Sequence, residues 1–417
     1  MTEAPAFDPS FVTQLLPFNP FDPAFHADPY PVFRKIREES GGAIRTPAGI
    51  VTLLDHAHVT SVLSDPKFGW GDSEAIRSQE LSIDGGEPTR FLAMQDPPDH
   101  TRLRGLVSKA FTPRMVERLR SRTQEITDRL LAEARAEAAA GNGTVDLVDR
   151  VFRPLGGLVL TEMMGIPEEF HALAFEYSAD SARGLDPDFT LTPEQARKRD
   201  EGRLWFARLT SELARRRRAE PGDDLISDLV QVQEGDDGLT DNELAVICVN
   251  LLAAGFGATA AQMSNSALAL LQNPDQLEWL RAHPDRVGGA TEELLRFDGP
   301  LFLLTRAALE PTEVAGFEIA AGEQVFLSMG SASHDPAVYA DPDRLDLSRT
   351  PTKVLGYGHG IHFCVAAPVA RLATQVALNS LARHTVELAV EQPPFNGALV
   401  IRTLAELPVR LSAPAAG

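Results

Sequence analysis

Cys364, one of two cysteines in 417 residues, stands in the run Tyr357-Gly-His-Gly-Ile-His-Phe-Cys-Val-Ala-Ala-Pro-Val-Ala-Arg371. A thiolate is an electron-rich axial ligand that pushes density onto haem iron and favours O–O cleavage. Glycines at 358 and 360 let a loop approach a flat macrocycle and turn without a Cβ penalty. Residues after 365 return to helix-forming types, so the sulfur is expected just before a helix N-terminus, whose dipole favours the ionised form. Two other chemistries suit the same residues. His359, His362 and Cys364 are zinc-ligand types, although a closed zinc site wants a fourth ligand and the other cysteine, Cys248, lies in an apolar helical pattern. A lone cysteine can also be an inert buried side chain.

The rest of the chain favours haem. Tyr357, Gly360, Cys364 and Ala366 fall on the motif Phe-x-x-Gly-x-x-x-Cys-x-Gly, with conservative departures at the first and last positions. On these residues the chain resembles the cytochrome P450 family of haem-thiolate enzymes, of the soluble bacterial type. The resemblance implies haem b, iron protoporphyrin IX, with Cys364 as its axial thiolate. In Asp96-Pro-Pro-Asp-His-Thr-Arg-Leu-Arg104, His100 and Arg104 stand one helical turn apart, suited to an anionic propionate. That segment looks like the family's propionate-binding helix. Arg306 and His362 occupy positions where similar enzymes place further propionate contacts. Glu293-Leu-Leu-Arg296 matches the family's Glu-x-x-Arg signature. Pro342-Asp-Arg344-Leu345 resembles its Pro-x-Arg-Phe signature, whose arginine completes a buried ion-pair network, with Arg349 as the alternative partner.

One constellation departs from the family. Asn250-Leu-Leu-Ala-Ala-Gly-Phe-Gly-Ala-Thr-Ala260 aligns with the helix that crosses the haem and reads Ala-Gly-x-acid-Thr-Thr, yet Gly257 replaces the acid and Ala258 the first threonine. In similar enzymes that pair relays protons to dioxygen. Thr259 is one residue on, rotated by about a hundred degrees around the helix, and Gln262 lies about one turn away. Ordered water, a substrate hydroxyl or amine, or Thr259 and Gln262 would have to replace the relay. The activity expected is that of a monooxygenase in secondary metabolism. Oxidative C–C or C–N coupling or dehydrogenation without oxygen insertion is the alternative, and a haem sensor that does no catalysis the remaining one. Residues expected to line a largely apolar substrate pocket are Phe91, Met94, Ala253, Phe256, Leu301, Phe302, Leu303, Leu304, Phe395, Asn396 and Leu399. The polar stretch from Asp72 to Arg90 is either a recognition loop or a solvated one.

These residues need scaffolding. Helical periodicity predicts helices at 29–39, 56–63, 98–109, 114–139, 145–164, 194–218, 240–273, 275–282, 286–296 and 366–383. Strands are expected at Ile50–Leu54, Leu303–Ala307, Val314–Ile319, Gln324–Leu327, Val386–Ala389 and Leu399–Arg402, with Ala321-Gly322 as a hairpin turn. The fold class is therefore mainly α with a small β region. The resemblance makes it a single domain over 1–417, with an N-terminal arm to about residue 28 and haem between the long central helix and the cysteine loop. A formal charge of −20 argues against nucleic acid as a partner. Two cysteines give no disulfide framework, and the first thirty residues show neither a basic n-region nor a long apolar stretch. A cytoplasmic protein without a membrane anchor is expected. Electrons would come from a ferredoxin and its ferredoxin reductase, docking on the basic stretch Arg102, Lys109, Arg114, Arg118, Arg120 and Arg122, with dioxygen and a small molecule as substrates.

Overall fold

The computed structural model describes residues 9–20, 22–77, 79–83, 87–181, 191–233, 238–350 and 353–414. By its internal contacts the chain forms two compact units, neither contiguous in sequence: 1–6, 69–122 and 156–257 make one, and 7–68, 123–155 and 258–417 the other. The division runs through Asp241–Gln272, a single unbroken helix of 32 residues, so the units are not successive domains on a string. This central helix is long and apolar enough to cross a membrane, yet 61% of its most apolar window is buried inside the protein. A helix apolar all round is a core helix when protein covers it.

The first unit is helical. Its elements include Asp99–Ala110, Pro193–Ala219 and the central helix up to Gly257. Thr192 and Gln195 start Pro193–Ala219 with a reciprocal capping box. Gln195 N–H donates to Thr192 Oγ1 (3.2 Å) and Thr192 N–H to Gln195 Oε1 (2.9 Å). Two helices here were not expected. Leu225–Gln233 begins where Asp224 Oδ1 accepts from Ser227 N–H (2.8 Å), and His171–Ser181 packs along Pro193–Ala219.

The second unit holds the sheets. The largest runs Ala43–Arg45, Val51–Leu53, Gln324–Ser328, Leu303–Ala308. Three expectations are corrected. Val314–Ile319 is not one strand but a hairpin, Thr312–Val314 with Phe317–Ile319, turning through positive φ at Ala315 (52°) and Gly316 (78°). Ala321–Gly322 is therefore not the turn of that hairpin: Gly322 N–H donates to Ala308 O (2.8 Å) and leads into Gln324–Ser328. Leu399–Arg402 pairs only through an isolated bridge, Leu301 with Ile401, because Arg402 turns its side chain inward to Asp298.

The predicted helix 145–164 also breaks. Thr144–Asp146 is a strand on Pro408–Pro414, a π-turn spans Val148–Phe152, and the α-helix starts at Arg153. Asp146 Oδ1 accepts from both Val148 N–H and Leu407 N–H, a tie made to a distant strand that periodicity cannot register. Pro154, with no N–H, cannot donate back to residue 150.

Candidate active site

In the second unit the cysteine loop is built as its spacing suggested. Gly358 (φ 78°) and Gly360 (φ 69°) adopt left-handed conformations. Such backbone favours glycine, and a Cβ at 360 would overlap the Leu63 carbonyl oxygen. Tyr357 O accepts from Cys364 N–H (2.9 Å) and Cys364 O from Ala367 N–H (3.3 Å), so the loop closes onto the helix Ala367–Ala382. Cys364 is partly exposed and packs with Leu295, Tyr357, Phe363 and Ala367. Cys248 is fully buried, and burial pushes its thiol up to about 12, which leaves it protonated and inert. Among the described residues no group of three His, Cys, Asp or Glu is placed to hold a metal ion, which leaves the zinc set of His359, His362 and Cys364 without a site.

The helix Val287–Asp298 anchors this loop from two sides. Leu295 fills the space over Gly356, where a Cβ would collide with it. Glu292 accepts from Arg371 Nε (2.6 Å) and Nη2 (3.0 Å), and the Arg371 guanidinium lies 4.6 Å from the centre of the Tyr357 ring. Sequence reasoning missed both ties. Their only signal was a second acid beside Glu293 and an arginine seven positions after the cysteine.

Glu293 and Arg296 form a bidentate pair, 2.8 Å at each contact, with both side chains fully buried. Arg296 Nη1 also donates to Ser333 O (3.1 Å) and Pro342 O (2.8 Å). The expected third member is corrected. Arg344 is exposed and offers only its carbonyl, 3.4 Å from Arg296 Nη2, while Arg349 Nε reaches Glu293 Oε1 at 3.2 Å. The loop needs Arg344's backbone to complete the fan of carbonyls around Arg296, which points its side chain outward.

The residues expected to meet haem propionates divide between the units. His100 is buried and Arg104 half-buried, one turn apart on Asp99–Ala110 in the first; Arg306 is buried on Leu303–Ala308 and His362 half-buried in the cysteine loop in the second. Within the second unit, a thiol just before a helix N-terminus and the buried Arg306 guanidinium are donor types that suit an iron-bearing, anionic macrocycle, so these residues fit haem.

Between its two ends the central helix is buried except along Asn250, Leu251, Ala253, Ala254, Gly255, Gly257 and Ala258, which are half-exposed at spacings of three and four. Thr259 and Gln262, expected near the missing relay, are buried; Gln262 Nε2 donates to Ser266 Oγ (2.9 Å), and its Oε1 has no partner among the described residues. Part of the expected pocket lining proves to be core. Phe302, Leu303 and Leu399 pack with Phe18, Phe25 and Phe33, Phe256 sits against Phe175 and Phe206, and Phe91 lies under the Arg203 guanidinium at 4.9 Å. Each faces the bulk of its own unit because a large aromatic or aliphatic side chain gains most from full burial. Met94, Ala253, Leu301, Leu304, Phe395 and Asn396 stay half-buried, with Phe395 held under Arg402 at 3.7 Å.

A family model described as Cytochrome P450 matches residues 206–403. The chain is 36% identical over 400 residues to cytochrome P450 monooxygenase PikC of Streptomyces venezuelae, covering 93% of this chain and 92% of that one. This chain belongs to the cytochrome P450 family. The P450 is also 34% identical over 404 residues to 6-deoxyerythronolide B hydroxylase of Saccharopolyspora erythraea, covering 93% and 97% of the two chains. Its fold matches that of the Bacillus subtilis bacillaene polyketide synthase cytochrome P450 PksS with a TM-score of 0.82 and 30% identity, covering 95% of this chain and all of that one. It is a haem-thiolate monooxygenase, and as in its relatives its electrons come from a redox partner. The catalytically silent sensor is set aside with this assignment.

Proposed function

We propose that this P450 inserts oxygen into a medium-sized, largely apolar secondary metabolite, with Cys364 as the axial thiolate and His100, Arg104, Arg306 and His362 as propionate partners. The supporting observation is the half-exposed face of the central helix, apolar from Leu251 to Ala258 and interrupted by no acid or alcohol. The 6-deoxyerythronolide B hydroxylase among its relatives fits an oxygen-inserting role. Bound haem would supply dioxygen activation; the polypeptide binds, orients and delivers protons. Gly257 and Ala258 hold no transferable proton, and their small side chains leave room for a substrate hydroxyl or amine and ordered water to take that role.

A ferredoxin served by its reductase is the proposed electron donor, and the basic stretch narrows on inspection. Arg102 pairs with Glu243, Arg118 with Asp223 and Asp228, Arg120 with Glu117, and Arg122 with Glu162. Lys109 and Arg114 make no ion pair among the described residues and line, with Arg118, a groove of about 550 Å³. They are the cations left to meet an acidic protein. We place the enzyme in the cytoplasm on the same reading.

Isotopically labelled dioxygen tests the assignment. Label in the product supports oxygen insertion, whereas an unlabelled, dehydrogenated or joined product makes oxidative coupling the activity.

A further inference from the structure

The first turn of the central helix carries a second polar device that the chemistry above does not use. Leu81 and Thr89 pair as a two-residue bridge, Leu81 N–H donating to Thr89 O (2.9 Å) and Thr89 N–H to Leu81 O (3.1 Å). Asn242 spans both arms of this hairpin. Its Oδ1 accepts from Ile83 N–H (3.1 Å) on one arm, and its Nδ2 donates to Glu87 O (2.8 Å) and Thr89 Oγ1 (2.7 Å) on the other, with Leu81 O at 3.4 Å. Donor and acceptor of one amide are thus both engaged, and no aliphatic side chain of the same size would hold either arm.

The hairpin leads directly into the turn that meets the helix face. Arg90, one residue beyond Thr89, donates to Glu80 Oε1 (2.8 Å), and its carbonyl accepts from Gln95 Nε2 (2.9 Å). Asn250, on the same helix as Asn242, accepts from Ala93 N–H at 3.4 Å. Half-buried Met94 follows that contact, and Asn250 begins the half-exposed face that runs to Ala258. Two asparagines of one helix thus tie residues 79–83 and 87–95 to it alongside the apolar face.

We propose that Asn242 is a positioning residue for substrate specificity: its clamp on Leu81, Ile83, Glu87 and Thr89 fixes where Met94 stands beside the helix face. The inference rests on the reading of that face as the substrate side. It acts through backbone geometry and touches neither substrate nor haem. A residue that only stabilised the fold would affect small and large ligands alike, whereas a clamp on the wall discriminates by size.

The test uses the haem-loaded enzyme with imidazole and phenylimidazole as iron-ligating probes of small and large size. Asn242→Ala removes several bonds, each worth about a factor of five to ten. Amide hydrogen exchange at Leu81, Ile83 and Thr89 should accelerate about tenfold or more, and the phenylimidazole dissociation constant should change about tenfold, with that of imidazole unchanged. Thr89→Val, which removes the bond from Asn242 and the longer one from Thr89 Oγ1 to Glu87 O (3.2 Å) and leaves the helix untouched, should move both readouts in the same direction by less, and the double variant should exceed Asn242→Ala only slightly. This milder variant carries the test should Asn242→Ala load haem poorly. Unchanged exchange overturns the clamp; faster exchange with both azoles shifted equally, or neither shifted, overturns its role in specificity. Failure of the parent enzyme to give the thiolate-type carbonyl band strikes the haem assignment instead, and the exchange data still judge the clamp.

Discussion

The cysteine loop and residues 79–83 and 87–95 are both fastened to a helix, and they are fastened by different forces. The loop leans on Val287–Asp298 through the Glu292–Arg371 pair and the Leu295 side chain, and the fully buried Glu293–Arg296 pair of the same helix holds the chain that leads to it, from Ser333 to Arg349. Residues 79–83 and 87–95 hang from the central helix by neutral amide bonds from Asn242 and Asn250, with ion pairs such as Arg90–Glu80 nearer solvent. Breaking a buried charge pair costs about 3–5 kcal/mol, because the remaining charge is stranded, whereas a neutral hydrogen bond contributes about 1 kcal/mol. The chain that leads to the cysteine loop is therefore held by strong contacts, and the proposed substrate side by weak ones that sequence change can retune without loss of the fold.

The sharpest way to break this contrast is at the sulfur. Cys364→Ser should abolish the strongly red-shifted Soret band of the reduced carbonyl complex, while Cys248→Ser leaves it intact. A band that survives Cys364→Ser ends the ligand assignment. Next in size is the anchor. Glu293→Ala should lower unfolding stability by about 3–5 kcal/mol and yield little haem-loaded protein, because Arg296 would be left buried without its carboxylate. Arg344→Ala keeps the carbonyl that the network uses. As an exposed substitution it should leave stability within about 0.5 kcal/mol of the parent. Equal losses in chemical denaturation would show that the Arg344 side chain matters after all.

On the adjustable side the effects are kinetic. A substrate analogue lacking its hydroxyl or amine should bind but waste electrons as peroxide. Gly257→Asp with Ala258→Thr should restore coupling for that analogue, read as product formed per electron consumed. Full coupling of the analogue in the parent, or loss of coupling in Gln262→Ala or Thr259→Ala alone, would assign the relay to the protein. The smallest effect is electrostatic. Ferredoxin-supported reduction should slow as salt rises, and Lys109→Ala with Arg114→Ala should flatten that dependence. A rate flat across ionic strength in the parent removes the docking role of these residues.

Much of the molecule was legible because it is local. The glycine spacing around Cys364, the His100–Arg104 turn, the Glu293–Arg296 pair and the boundaries of the central helix each follow from short-range pattern, and the missing acid–alcohol pair is a fact of sequence alone. What required the tertiary structure were choices among equals. Sequence offered Arg344 and Arg349 as partners for Glu293, and only the path of the loop puts one guanidinium inside and leaves the other in water. Phe302, Leu399 and Phe256 carry the same apolar chemistry whether they line a pocket or fill a core, and the packing of distant segments decided for core. Asn242 looked like any polar residue at a helix start, since its partners Thr89 and Glu87 lie 153 and 155 positions away and hydrogen bonds to backbone leave no trace in residue types. Sequence determined which side chains can do chemistry; the long-range contacts, made by geometry rather than composition, decided which of them are held where that chemistry can occur.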